Sequence, residues 1–260
     1  AQERAWLPRG TWFDLPTGRR YEAAAEDGRT LTVSRPLDRL PVLARAGSIV
    51  VGAGDIGEAA GDNPRRLSVL VVPGADGGFV LEEDDGSPAP GPDAVVRTRF
   101  SLVWDERSAT ARLAIVQEGP DGVVPAEREV TVRLLSAGGE GLRARVSGAG
   151  RAGDVGGAPR EPVVTRREAD GFALGAGTDI ALGAVHPADG VELALTGVRT
   201  DPPSPADEIF SILEPVRIDY DAKDAAWRVV ASGTRGGELL GGLRAAGLPD
   251  DVLAAVAEVA

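Results

Sequence analysis

Apolar positions recur with a period of two along much of the first 200 residues. Between residues 95 and 105, Val96, Thr98, Phe100 and Leu102 alternate with exposed-type neighbours, which predicts a half-buried strand. Residues 31–33, 42–44, 67–72, 79–81, 109–117, 128–135, 143–147, 163–168, 172–174 and 191–198 are further short β-rich runs. Pro, Gly and Asp punctuate them. Residues 73–78 (Pro-Gly-Ala-Asp-Gly-Gly) supply turn dihedrals and predict a hairpin between 67–72 and 79–81. The runs at 109–117 and 128–135 join across Gly119-Pro120-Asp121-Gly122. Many short strands at this spacing predict a β-sandwich and not a βαβ fold. Residues 86–92 (Gly-Ser-Pro-Ala-Pro-Gly-Pro) read as a linker, and the Gly- and Ala-rich stretch 138–157 as loop with a short strand inside.

After Pro202-Pro203-Ser204-Pro205 the period changes to that of helices. Ile209, Phe210 and Leu213 share a face within 206–213. Tyr220, Lys223, Trp227 and Val230 do so within 216–232, with Gly233 as the C-cap, and Pro249-Asp250 starts a last helix at 252–259. The fold class is therefore mainly β with a short α-helical C-terminal extension.

Composition narrows the function. A net charge of −12 removes nucleic acid as a partner, because phosphate backbones are held by clustered Lys and Arg, and it removes anionic membrane surfaces. Neutral ligands such as sugars remain. The absence of cysteine excludes disulfides, thiolate zinc sites and cysteine nucleophiles, and fits a cytoplasmic setting. No apolar stretch is long enough to span a bilayer. Lys223 is the only lysine; Arg, Ala and Gly abound, as in a GC-rich bacterial genome. No Met is present and the first residues lack a signal-peptide pattern, so the chain is expected to be a processed or excerpted piece.

Candidate chemistry is sparse. Gly52-Ala53-Gly54-Asp55-Ile56-Gly57 fits G-x-G-x-x-G, but Gly61, Asp62, Asn63 and Pro64 cut off the helix that a dinucleotide site needs, so a glycine-rich connection is expected. Glu82-Glu83-Asp84-Asp85-Gly86 is an acidic cluster of the kind hard cations favour; it lacks EF-hand spacing and is expected to be a solvated strand end. His186 is the only histidine. It cannot form a multi-histidine metal site, no G-x-S-x-G elbow accompanies it, and a turn histidine before Pro187 is expected. With 40 acidic residues, no carboxylate pair stands out for glycoside hydrolysis. Trp6, Trp12 and Trp104 are expected in the core and not in a sugar platform. No catalytic, cofactor-binding or metal-ligating residue is assigned, and no cofactor.

Three stretches carry a resemblance. They are Leu7-Pro8-Arg9-Gly10-Thr11-Trp12-Phe13-Asp14 with Thr17-Gly18 and Tyr21; Pro36-Leu37-Asp38-Arg39-Leu40-Pro41-Val42 through Arg45-Ala46-Gly47-Ser48-Ile49; and Val72-Pro73-Gly74-Ala75-Asp76-Gly77-Gly78-Phe79 through Glu83-Asp84-Asp85-Gly86. In order and spacing they resemble the region C-terminal to the catalytic barrel in glycoside hydrolase family 31, which includes α-glucosidases and α-xylosidases. The chain departs from the family at Glu82, where Tyr is usual, at Pro16 (Trp) and at Val50-Val51 (Ile-Pro).

The resemblance implies two consecutive antiparallel β-sandwich domains. Residues 1–86 would be a proximal sandwich lacking its usual first strand, 87–203 a distal sandwich, and 204–260 the helical extension. It implies a (β/α)8 barrel as partner, with carbohydrate as a further possible ligand. The family's nucleophile is an Asp in a Trp-x-Asp-Met-Asn-Glu-like motif. A chain without Met cannot hold that motif, and it has no barrel pattern, so the chain alone is expected to be inactive. Residues 36–50 are then expected to form a strand and the turn leading into it. Asp38 and Arg39 should make local polar contacts, Arg45 should make polar contacts near the barrel interface, and an exposed apolar patch should mark where the barrel docks. An independent carbohydrate-binding sandwich is the alternative.

Overall fold

The computed structural model describes residues 2–54, 63–91, 94–148, 159–169 and 174–259. The chain is mainly β, with seventeen strands and four short C-terminal helices. The strands are β1 (Gln2–Leu7), β2 (Gly10–Asp14), β3 (Arg20–Ala23), β4 (Arg29–Ser34), β5 (Leu43–Arg45), β6 (Ile49–Ala53), β7 (Arg66–Val71), β8 (Gly77–Asp84), β9 (Val95–Asp105), β10 (Thr110–Glu118), β11 (Arg128–Leu135), β12 (Ala137–Gly138), β13 (Arg143–Ser147), β14 (Val163–Arg167), β15 (Gly177–Val185), β16 (Val191–Thr196) and β17 (Arg199–Thr200). The helices are α1 (Pro205–Leu213), α2 (Tyr220–Ala231), α3 (Gly236–Ala245) and α4 (Asp250–Ala257). Two compact units emerge: residues 11–20 with 43–202, and residues 1–10 with 21–42 and 203–260.

The larger unit is a β-sandwich. One sheet has the order β13-β16-β10-β9-β8 and the other β14-β15-β11-β7-β6. Strand β9 shows why these residues form a sheet with one dry face: Val96, Thr98, Phe100, Leu102 and Trp104 are buried while Arg97, Arg99, Ser101 and Val103 face out. They meet Val69, Val71, Val130, Val132, Ile180 and Leu182 of the other sheet in one core. Each such side chain contributes on the order of 1.5–3 kcal/mol of burial.

The predicted hairpin across residues 73–78 does not form. β7 and β8 lie in different sheets, so the Pro-Gly-Ala-Asp turn is a corner that carries the chain from one sheet to the other. In consequence β7 pairs with β11 in parallel, Arg66 opposite Glu129 through Val71 opposite Leu134, although the other pairings within the two sheets are antiparallel. The expected boundary at residues 86/87 falls between β8 and β9, which pair as neighbours in one sheet from Gly77↔Leu102 to Asp84↔Val95. Strands on both sides of it thus share both sheets. Residues 172 and 173 of the expected strand 172–174, and 149–157 of the expected loop, lie outside the described residues.

The smaller unit joins an antiparallel pair, β1 and β4, to the helices. Gln2↔Ser34 through Leu7↔Arg29 are opposite one another. A strand therefore does precede the Leu7-Pro8 stretch. The helices start on chemical stops. Ser204 accepts from the Asp207 N–H with Pro205 at the first helical position, and Asp219 accepts from the Asp221 N–H. They close on Ile209, Leu213, Ala226, Val230, Leu239, Leu243 and Val256. The sequence pattern predicts three helices where there are four. α3 (GGELLGGLRA) is rich in glycine and is held by the burial of Leu239 and Leu243.

Candidate functional site

The shared motif residues are spent on turns. In the larger unit, Asp14 is fully buried and accepts from Thr17 Oγ1 at 2.8 Å, and its carbonyl accepts from the Gly18 N–H at 2.7 Å. Gly18 takes a φ of +74°, and its carbonyl accepts from Ser136 Oγ at 2.8 Å. Phe13 is fully buried against Leu70, Val72 and Leu135. The Asp-x-x-Thr-Gly spacing therefore builds a closed turn over a small core and leaves no carboxylate free for chemistry.

The second and third motifs close on each other. The Gly47 N–H donates to the Val72 carbonyl and the Val72 N–H to the Ser48 carbonyl, both at 2.9 Å. Gly47 has a φ of +85°, and a Cβ there would lie 2.3 Å from the Asp76 carbonyl oxygen. A Cβ on Gly77 would lie 1.8 Å from the Gly47 carbonyl oxygen. Only glycine permits this approach. Asp76 Oδ1 accepts from the Trp104 N–H at 2.7 Å and ties the corner to β9.

Residues 36–50 are not one strand. They form an extended turn, then β5, a Gly47 turn and the start of β6. Asp38 and Arg39 make no side-chain hydrogen bond or ion pair among the described residues, contrary to the expected local polar contacts; the Arg39 N–H to Pro36 carbonyl bond, 3.2 Å, holds the turn. Their short stretch is open to water, which satisfies both charges. Arg45 is exposed on β5 opposite Trp12. Flanking the Asp-Arg pair, Leu37 is 93% and Leu40 79% exposed, and Val42 is exposed as well. That is an apolar patch on a loop of the smaller unit, with no charge of its own beyond Asp38 and Arg39.

The remaining candidates resolve into structure. Within the acidic cluster, Glu82 pairs with Arg97 at 2.7 Å on the surface, and Asp84 and Asp85 cap the Gly86 and Ser87 N–H groups. The bond to Ser87 draws the Asp85 carboxyl below its ordinary range. Glu83 differs from the expected solvated end: it is buried and receives both Arg128 nitrogens, at 2.8 and 2.9 Å, across the two sheets. Among the described residues, no group of three or more His, Cys, Asp or Glu could hold a metal ion. The G-x-G-x-x-G stretch lies partly outside the described residues; Gly52 and Ala53 are the end of strand β6, paired with β7. His186 sits before a 3-10 turn, its Nδ1 3.2 Å from the Ala126 carbonyl oxygen.

Trp104 is buried with its indole N–H on Glu106 at 2.8 Å, and Trp12 is half-buried. Trp6 is exposed, not core; its N–H reaches the Asp27 carbonyl at 3.0 Å. Burial alone would raise the Glu106 carboxyl, but bonds from the Trp104 indole and from the Thr200 N–H and hydroxyl, with the Arg199 charge, outweigh it and hold the group below its usual range.

One network has no sequence signature. In the smaller unit, the Glu258 carboxylate accepts from Tyr21 OH at 2.5 Å, from the Ser34 N–H at 2.6 Å and from Arg35 Nη1 at 2.9 and 3.1 Å. It ties the C-terminal helix to β4. Its partners lie more than 220 residues away in the chain, beyond any local pattern. The signal for Glu83 was present: it shares the inner face of β8 with Leu81, at a spacing of two.

Residues 1–50 match the glycosyl hydrolase family 31 C-terminal domain. Among solved structures, a family 31 dextranase from Flavobacterium johnsoniae is similar over 75% of this chain and 24% of its own, with 15% identity and a TM-score of 0.55. The α-1,4-glucan lyase of Gracilariopsis lemaneiformis is similar over 75% and 20%, with 13% identity and a TM-score of 0.52. A family 31 α-xylosidase from Xanthomonas citri is 31% identical over 52% of this chain and 14% of its own, with a TM-score of 0.41. No curated protein matches. The chain spans less than a quarter of the length of these structures. It is similar to the C-terminal region of a family 31 protein.

Proposed function

We propose that this chain is the non-catalytic C-terminal segment of a family 31 retaining α-glycosidase and supports its (β/α)8 barrel in carbohydrate hydrolysis. The observation that carries the reading is the apolar loop, with Leu37 and Leu40 in water beside motifs whose polar groups are otherwise satisfied in turns. An isolated loop gains nothing by presenting two leucines on either side of an Asp-Arg pair; a barrel wall laid over them does. Arg45, exposed on β5, lies in the same sequence motif and would meet polar groups of that wall. In the parent, one carboxylate would attack the anomeric carbon and a second act as acid and base, both on the barrel. No residue of this chain is given a catalytic role, and no cofactor is called for. The cysteine-free, arginine-rich composition supports a bacterial cytoplasmic setting. The sandwich supports independent sugar binding less well, because its Trp104 is buried and its indole N–H is occupied.

The test compares hydrolysis of aryl α-glucosides and α-xylosides by the purified chain and by the polypeptide read in frame from upstream of Ala1. The expected result is no turnover by the chain and turnover by the longer polypeptide. Turnover by the chain alone, or an upstream frame without a barrel, would overturn the proposal.

A further inference from the structure

In the helical extension, α1 and α2 enclose a groove of about 250 Å³. Its walls are the rings of Phe210, Tyr220 and Trp227. Tyr220 is 80% exposed, and Phe210 and Trp227 are exposed too. The chain is only 4% aromatic, so three exposed rings in one groove are not a chance scatter of surface residues. Phe210 and Trp227 meet edge to face, centroids 5.3 Å apart and planes at 71°, and so form a corner and not a flat shelf. That arrangement also fixes the Trp227 ring, so little freedom is lost when a ligand packs against it.

The polar rim sets the chemistry of the occupant. Glu214 and Asp224 line the groove with Lys223. Lys223 Nζ donates to the Glu214 carbonyl at 2.7 Å and keeps further N–H donors. Asp224 is paired with Arg228 one turn on. Two carboxylates thus face two cations in a chain of net charge −12, and the groove is locally neutral. An anion would meet the carboxylates and a cation would meet Lys223. A wholly apolar partner would desolvate all three charges without replacing their bonds. What fits is a small neutral ring with apolar C–H faces and hydroxyls at its edge. The volume lies just below the range of about 300–1,000 Å³ typical of drug-sized ligands, which suits one ring or two.

We infer that this groove is a saccharide-binding site that takes a neutral pyranose, its C–H face on Tyr220 or Trp227 and its hydroxyls on Asp224 and Lys223. It lies on the helices and not on the sandwich, and the inference stands whether or not the chain supports a barrel.

The test is a titration of the full 260-residue chain with glucose, xylose and maltose, read at the indole N–H signals of its four tryptophans. The Trp227 signal should shift saturably, with half-saturation in the millimolar range, and the Trp104 signal should stay still. Tyr220→Ala should weaken binding by about fivefold or more, since losing one stacking partner costs about that factor. Phe210→Ala, which frees the Trp227 ring, should weaken it as well. No shift of Trp227 at about 100 mM of each sugar, a limit that excludes even feeble affinity, would overturn the inference. So would a shift unchanged by Tyr220→Ala, or sedimentation showing a dimer that Tyr220→Ala dissociates, since a second copy would then be the occupant.

Discussion

Glu258→Ala removes the acceptor at the centre of the Tyr21, Ser34 and Arg35 network. The Glu258 side chain is 2% and the Arg35 side chain 9% exposed, so water does not replace what is lost. Removing one member of a buried ion pair costs about 3–5 kcal/mol. Hydrogen bonds to a charged group are worth about 1.5–3 kcal/mol each, but here they share one carboxylate and do not add. The expected cost to the smaller unit is therefore about 3–5 kcal/mol. Because the two units can unfold separately, the suitable assay is amide exchange of β4 and α4 and not a single global melt. A loss of about 3 kcal/mol speeds exchange there by about 100-fold or more, with the sandwich amides unchanged. Arg35→Met combined with Glu258→Met should recover at least about 1 kcal/mol relative to Glu258→Ala, because no lone charge then stays buried. If β4 exchange in Glu258→Ala stays within about threefold of the parent chain, the network does not hold the helices, and the reasoning fails.

Three further outcomes follow from the sandwich and the loop. Gly77→Ala should cost about 2 kcal/mol or more by urea denaturation, since its Cβ would sit 1.8 Å from the Gly47 carbonyl oxygen, whereas Gly52→Ala, with nothing near, should be neutral or slightly stabilising. Glu106 has a depressed carboxyl in the folded state, so its contribution is complete above the unfolded value of about 4.3 and is lost as the pH falls through the lower folded value; Glu106→Gln should flatten the fall in sandwich stability below about pH 5, and an unchanged acid limb would contradict this. Leu37→Ser and Leu40→Ser should each leave the stability of the 260-residue chain within about 0.5 kcal/mol, as their side chains touch mostly water, and a larger loss would mean that the loop packs on its own unit.

Much of the β architecture was legible because it is written in local alternation, as in β9, where each inward position is Val, Thr, Phe, Leu or Trp. What was not legible depends on distant partners. β15 went unread because Gly177, Asp179 and Gly183 interrupt its pattern, yet Ile180 and Leu182 are fully buried beneath β11 and β14. α3 was hidden by its glycines for the same reason: tertiary burial of two leucines overrides weak propensity. The turn at residues 73–78 was correctly placed and wrongly connected, because turn chemistry specifies a change of direction and not the sheet in which the next strand lands. The aromatic groove was half visible. Tyr220, Lys223 and Trp227 were read on one face of α2, but that Phe210 of α1 closes the corner needed the structure.

The claim that a barrel covers the apolar loop can be met directly by hydroxyl-radical footprinting of Leu37, Leu40 and Val103, in the 260-residue chain and in the polypeptide extended upstream. Val103 is exposed on the outer face of β9 and serves as the internal reference. Strong protection of Leu37 and Leu40 in the longer polypeptide, with Val103 unchanged, is the predicted result. Equal labelling of both leucines in the two polypeptides would contradict the account.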